Sequence, residues 1–171
     1  MKKGVLFLLL FSLGTPVQAK TLTPVDWQRL ADCMPALTEI DGFVKDGIEG
    51  DSYPQPYASI YYVKSGKGEM GWDYAEMGES LSLSITDCAN ATEYLNAMLE
   101  PSLMDTPLSV NGKYEGKRTL ELNDYIIQCG YVFVVRNRFL VELISSGREV
   151  AFDQLEKLIA AIKFEQLESI K

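Results

Sequence analysis

The stretch Leu81-Ser82-Leu83-Ser84-Ile85-Thr86 alternates apolar and hydroxyl-bearing residues without a break. Side chains on a β-strand leave alternately to opposite faces, so this pattern gives a strand with one dry side and one wet side. A strand in an all-parallel sheet, covered by helices on both faces, would read apolar at nearly every position. The alternation therefore points to an antiparallel sheet, and the segments around it follow that lead.

Upstream, Tyr57–Lys64 (YASIYYVK) is rich in β-branched and aromatic residues. Ser65-Gly66-Lys67-Gly68 reads as a turn, and residues 69–77 as the returning strand of a hairpin. Segment 36–56 is rich in Gly, Asp and Pro and holds one edge strand near 42–48, followed by a loop. Before it, Thr23-Pro24-Val25-Asp26 has the form of a helix start: a cap, then proline at the first helical position, then a carboxylate. Trp27, Leu30, Ala31 and Met34 then fall on one helical stripe, which Pro35 ends.

Downstream, Asn90 with Glu93 three residues later predicts a second helix with Tyr94, Leu95, Met98 and Leu99 turned inward, stopped by Pro101. Strands at 108–110 and 113–122 flank Asn111-Gly112, the strongest short hairpin signal. Strands at 125–135 and 139–145 are joined by Arg136-Asn137-Arg138. The last helix, 149–162, places Leu155, Leu158, Ile159 and Ile162 at helical spacing. The order is helix, three or four strands, helix, four strands, helix. This predicts an α+β fold: a largely antiparallel sheet of about six to eight strands with three helices packed on its faces.

The layout of Met34-Pro35, Gly42-Phe43, Ala58 and Tyr61, Ile85-Thr86-Asp87, Gly112 and Gly116, and Arg136-Asn137-Arg138-Phe139-Leu140-Val141 resembles a group of small exported bacterial α+β proteins without an assigned role. The resemblance covers most of the chain after residue 19. It implies a shape similar to the Mog1/PsbP-like sandwich, and it carries no site residues.

The first residues have the parts of a secretory signal. Lys2 and Lys3 are followed by the apolar run GVLFLLLFSLG (4–14), and Val17 and Ala19 stand at the −3 and −1 positions of a cleavage site. The run is too short to span a bilayer core, which takes about 20 residues. The expected organisation is a signal peptide at 1–19 and a single domain at 20–171. This makes a periplasmic or secreted protein with no membrane insertion after processing.

Among 171 residues there are 16 Lys and Arg against 24 Asp and Glu, for a net charge of −8. Removing 1–19 takes away Lys2 and Lys3 and leaves 14 against 24, or −10. Such a surface repels nucleic acid and anionic lipid and attracts a basic protein. The three cysteines, Cys33, Cys88 and Cys129, allow three pairings in an oxidising compartment. Cys129 is in phase with Tyr125, Ile127, Tyr131 and Phe133 and reads as a core residue. That leaves Cys33–Cys88 as the expected disulfide.

The chain contains no histidine. That removes Ser-His-Asp and Cys-His catalysis and the usual zinc and copper sites. There is no Cys-x-x-Cys, no Ser-x-x-Lys after residue 19, no Walker loop and no Gly-x-Gly-x-x-Gly opening a helix. The acidic residues Asp41, Asp46, Glu49 and Asp51 are interleaved with glycines but do not match an EF-hand, and they read as a solvated loop. No catalytic residue, cofactor or metal is assigned.

Tyr53, Tyr57, Tyr61, Tyr62, Trp72 and Tyr74 crowd into 22 positions. Tyr and Trp dominate binding hot spots, although cross-strand aromatic pairs also stabilise hairpins. Tyr57, Tyr61, Trp72 and Tyr74 are the candidate binding residues. The expected function is a non-enzymatic accessory protein that binds another protein, with an inhibitor or immunity protein for an envelope-acting enzyme as one form. The alternatives are a carboxylate-dependent glycan hydrolase using Glu69, Asp73 or Glu76, and a small-ligand carrier.

Overall fold

A computed structural model describes residues 22–64, 79–122 and 126–171. The signal-like segment 1–19, the strand expected at 69–77 and Tyr125 lie outside the described residues. Within them, one eight-stranded antiparallel sheet runs β1 (Glu39–Ile40), β2 (Phe43–Asp51), β3 (Tyr57–Lys64), β4 (Ser80–Asp87), β8 (Phe139–Gly147), β7 (Ile127–Val135), β6 (Tyr114–Leu122) and β5 (Thr106–Val110). Two four-stranded meanders, β1–β4 and β5–β8, meet at the seam between β4 and β8.

Four helices accompany the sheet: α1 (Trp27–Ala31), α2 (Thr92–Leu99), α3 (Phe152–Ala161) and α4 (Phe164–Ser169). The α+β class and the antiparallel sheet match the sequence expectation; the helix count rises from three to four. The fourth helix comes from the C-terminal segment, where Phe164, Leu167 and Ile170 recur every third residue and join the core. Tyr114 stacks on Phe164 with ring centroids 4.9 Å apart.

The alternation at 81–86 is realised in β4. Leu81, Leu83 and Ile85 are fully buried, while Ser80, Ser82 and Ser84 are half-exposed on the other face. Cys129, Tyr131 and Phe133 of β7 and Val141 and Leu143 of β8 extend the same dry face, which α1, α3 and α4 cover. Trp27 of α1 lies so close to Gly50 of β2 that a Cβ there would sit 2.4 Å from its ring. Glycine at 50 is what lets this helix close onto the sheet.

Helix starts differ from the sequence reading. Asp26, not Thr23, caps α1, its Oδ1 accepting from the Gln28 N–H at 3.0 Å. Helix α2 begins without a side-chain cap, and Asn90 instead donates to the Leu22 carbonyl at 3.1 Å. The strand expected near 42–48 is longer and lies between β1 and β3, with a register shift at Lys45/Gly47. Two left-handed residues close each of three turns: Asp41-Gly42, Asn111-Gly112 and Arg136-Asn137.

The expected Cys33–Cys88 disulfide does not form, and all three cysteines are free and buried. Cys33 packs in the cluster on the dry face, whereas Cys88 packs with Leu95, Val132 and Leu140 on the opposite side. The sheet itself stands between them. Burial pushes each of these two thiols up to about 11. Cys129 belongs to the core, as its strand phase predicts.

A buried ion pair holds one end of the sheet. Arg138 donates from Nε to Asp87 Oδ1 and from Nη2 to Asp87 Oδ2, each at 2.8 Å. Asp87 also accepts from the Val25 N–H at 2.9 Å, and Arg138 donates to the Thr23 carbonyl. The fork geometry satisfies two groups that would be costly to bury singly. The neighbouring Arg136 donates to the carbonyls of Glu168 and Ile170. One turn therefore grips both ends of the described chain.

Candidate functional site

The candidate surface is the second face of the sheet, and strand register lays it out as a grid. One row runs Glu49, Ser59, Ser84, Glu142, Val132 and Lys117 across β2, β3, β4, β8, β7 and β6. The next runs Gly47, Tyr61, Ser82, Ile144, Gly130 and Thr119. A flanking row starts Asp51, Tyr57, Thr86 and Leu140. Tyr57 and Tyr61, two of the sequence-predicted binding residues, thus share this face. Trp72 and Tyr74 lie outside the described residues, as do Glu69, Asp73 and Glu76.

The face divides into three zones. Over β7 and β8, α2 covers Val132, Val134 and Leu140 with Leu95, Met98 and Leu99. Over β2–β4 the zone is mixed: Ser59 and Thr86 are buried, Tyr57, Ser82 and Ser84 are half-buried, and Tyr61 is open. Tyr61 is 38% exposed and donates to Glu49 at 3.0 Å, while Ser59 and Ser84 share a hydrogen bond of 2.7 Å. Tyr62 points the other way, fully buried, with its hydroxyl on the Leu37 carbonyl. Alternation splits the tyrosine cluster between surface and core.

The third zone is a cleft of about 740 Å³ between loop 102–105 and strands β6–β8. Met104, Thr119, Glu121, Leu122, Gln128 and Ile144 line it. Lys117 and Asp105 pair at 3.0 Å beside it, both well buried. Backbone donation from Ser102 and the Lys117 ammonium hold the Asp105 carboxyl below its ordinary value, against the upward push of its own burial.

Glu142 stands between α2 and the serines. It is half-exposed by surface area, yet loss of hydration beneath the helix raises its carboxyl above the usual carboxylate range. Sequence reasoning missed this residue, along with the Ser59–Ser84 pair and the cleft. The signal for Glu142 was present: it is the one charge in an otherwise apolar run, Phe139-Leu140-Val141-Glu142-Leu143-Ile144.

The geometry bears on catalysis. Glu49 and Glu142 share a row but lie three strand spacings apart, about 14 Å. Paired glycosidase carboxylates sit about 5–9.5 Å apart, so these two do not make such a pair. Among the described residues no three Asp, Glu or Cys side chains converge as a metal site. The acidic stretch 41–51 is spent otherwise: Asp41 pairs with Lys157, Glu49 accepts from Tyr61, and Asp51 receives the Ser52 and Tyr53 N–H groups. Among the described residues no helix is long and apolar enough to cross a membrane.

No family model matches the chain, and no similar curated protein or solved structure was found.

Proposed function

We propose that this is a non-catalytic binding protein that works outside the cytoplasm and docks a basic partner protein on the second face of its sheet. The observation that carries this reading is the zone over β2–β4. Tyr57, Tyr61 and Val63 lie there side by side with Glu49 and Asp51, beside a strip of serines. Aromatic rings with polar tips give contact area at low entropic cost, and small hydroxyls let a partner approach closely. The surrounding carboxylates and the net charge of −8 would steer a cationic partner and speed its association. Export is supported by the amino-terminal Lys-Lys, apolar run and small-residue end. An inhibitor or immunity protein for an envelope-acting enzyme is the specific form that fits an acidic, reagent-poor surface.

The test is a pulldown from cell-envelope extract with purified protein at low and high salt, run beside a Tyr57→Ser/Tyr61→Ser variant. A partner retained by the wild type, weakened by salt and lost from the variant supports the reading. Recovery of the same partner by both proteins would sink it.

A further inference from the structure

We propose that the cleft between loop 102–105 and strands β6–β8 is a ligand site of its own, for a small amphipathic cation: an apolar body carrying one amine or guanidinium group. Three observations converge on it. The first is shape. At about 740 Å³ it falls within the range of small-molecule sites, about 300–1,000 Å³.

The second is the apolar lining. Met104, Leu122 and Ile144 are 57%, 60% and 41% exposed, and they come from three separate elements: the loop after α2, the end of β6, and β8. Scattered exposed aliphatics are ordinary, but here Met104 and Ile144 border one hollow together with Leu122, which belongs to the opposite strand phase at the end of β6. Gly130 and Thr119 form part of the same row of the sheet as Ile144. A Cβ on Gly130 would come 2.9 Å from the Thr119 hydroxyl, so glycine there leaves that oxygen room.

The third is charge. The cleft's cation, Lys117, is already committed to Asp105 and to the Glu100 carbonyl. Among the described lining residues that leaves Glu121, which is exposed, as the charge not matched by an opposite one, with the Gln128 amide opposite it in the register. The described lining is therefore largely apolar, and its charged residues, Asp105, Lys117 and Glu121, sum to one net negative charge. An ammonium or guanidinium would take the Glu121 carboxylate and the Gln128 carbonyl oxygen as acceptors. The apolar body would lie on Ile144 and under Met104. An anionic amphiphile of equal length would meet the same carboxylate with repulsion. The site is two strands away from Tyr61, so it stands or falls independently of the protein-docking surface.

The experiment is isothermal titration of the purified protein with n-octylamine, n-octanol and octanoate at neutral pH and low salt, with circular dichroism confirming that each variant is folded. The expected result is saturable one-to-one binding of octylamine, weaker binding of octanol and none of octanoate. Glu121→Gln should weaken octylamine by about ten- to a hundredfold and leave octanol unchanged, as loss of one charge-assisted contact predicts. Ile144→Ala should weaken both octylamine and octanol. Octanoate binding as tightly as octylamine, octylamine affinity unchanged from the wild type in either variant, or no saturable binding of any probe would each overturn the proposal.

Discussion

Leu143 and Ile144 are neighbouring aliphatic residues on β8, yet Leu143 is fully buried and Ile144 is 41% exposed. The difference lies in which face each occupies. Leu143 points into the layer closed by α1, α3 and α4, where nearly every contact is apolar. Ile144 points to the face that α2 covers only at one end, among Ser82, Gly130 and Thr119. One face therefore holds the larger buried cluster, while the other holds a smaller one under α2 and leaves more side chains exposed. The same strands do both because their sequence alternates.

Substitutions on β8 and at its ends measure how far the two faces differ. The largest effect is expected at Arg138. Arg138→Ala leaves Asp87 buried without its cation, and should lower unfolding free energy by about 3–5 kcal/mol in urea denaturation. A loss below about 1 kcal/mol would show that the pair is dispensable, and that apolar packing alone holds that end of the sheet. Next, Leu143→Ala should cost about 2–5 kcal/mol through its cavity. Ile144→Ala, one residue on, should cost less than about 1 kcal/mol. Equal losses would mean that the two faces are equally packed.

Cysteine labelling separates the faces by opening rather than by energy. Cys33 and Cys88 lie on opposite sides, and burial pushes both thiols up to about 11. Native protein at pH 8 should resist a thiol reagent for lack of both access and thiolate, and denatured protein should take three labels. Two fewer labels, restored by reductant, would reveal a disulfide. Rapid labelling of Cys88 alone would show that α2 opens while the dry face stays shut.

The smallest expected effect is at Glu142, whose carboxyl is raised by burial beneath α2. An acid that holds its proton more tightly when folded costs no stability below its unfolded pKa. It becomes a penalty as pH rises through its folded pKa. Glu142→Gln should therefore match the wild type in acid and become relatively more stable toward neutral pH. A gap that widens toward acid would have the opposite sign and would refute the desolvated setting.

Much of the dry face was legible in the sequence. The alternation at 81–86 placed Leu81, Leu83 and Ile85 inside, the phase of Cys129, Tyr131 and Phe133 placed β7, and Asn111-Gly112 located a hairpin. Local pattern determined these. What depended on residues far apart in the chain was not legible. Asp87 and Arg138 are separated by 51 positions, and neither carries a local cue to the other. Cys33 and Cys88 fall on opposite sides of the sheet because Cys33 packs with Leu30 and Met34 on the dry face and Cys88 packs with Leu95 of α2 on the other. Thr23 and Asn90 have cap chemistry, yet tertiary contacts to Arg138 and Leu22 claimed their segments instead. On the second face, Tyr57 and Tyr61 stand out from composition and Glu142 as the one charge in an apolar run, whereas the cleft exists only because register brings loop 102–105 and three strands together.

The turn Arg136-Asn137-Arg138 has a topological consequence. Because Arg138 holds the carbonyl of Thr23 and Arg136 holds those of Glu168 and Ile170, the described chain begins and ends at one corner. A short linker joining residue 171 to residue 22 would close this segment without disturbing any strand pair. A circular permutant could then open at the Asn111-Gly112 hairpin and leave the β4–β8 seam whole.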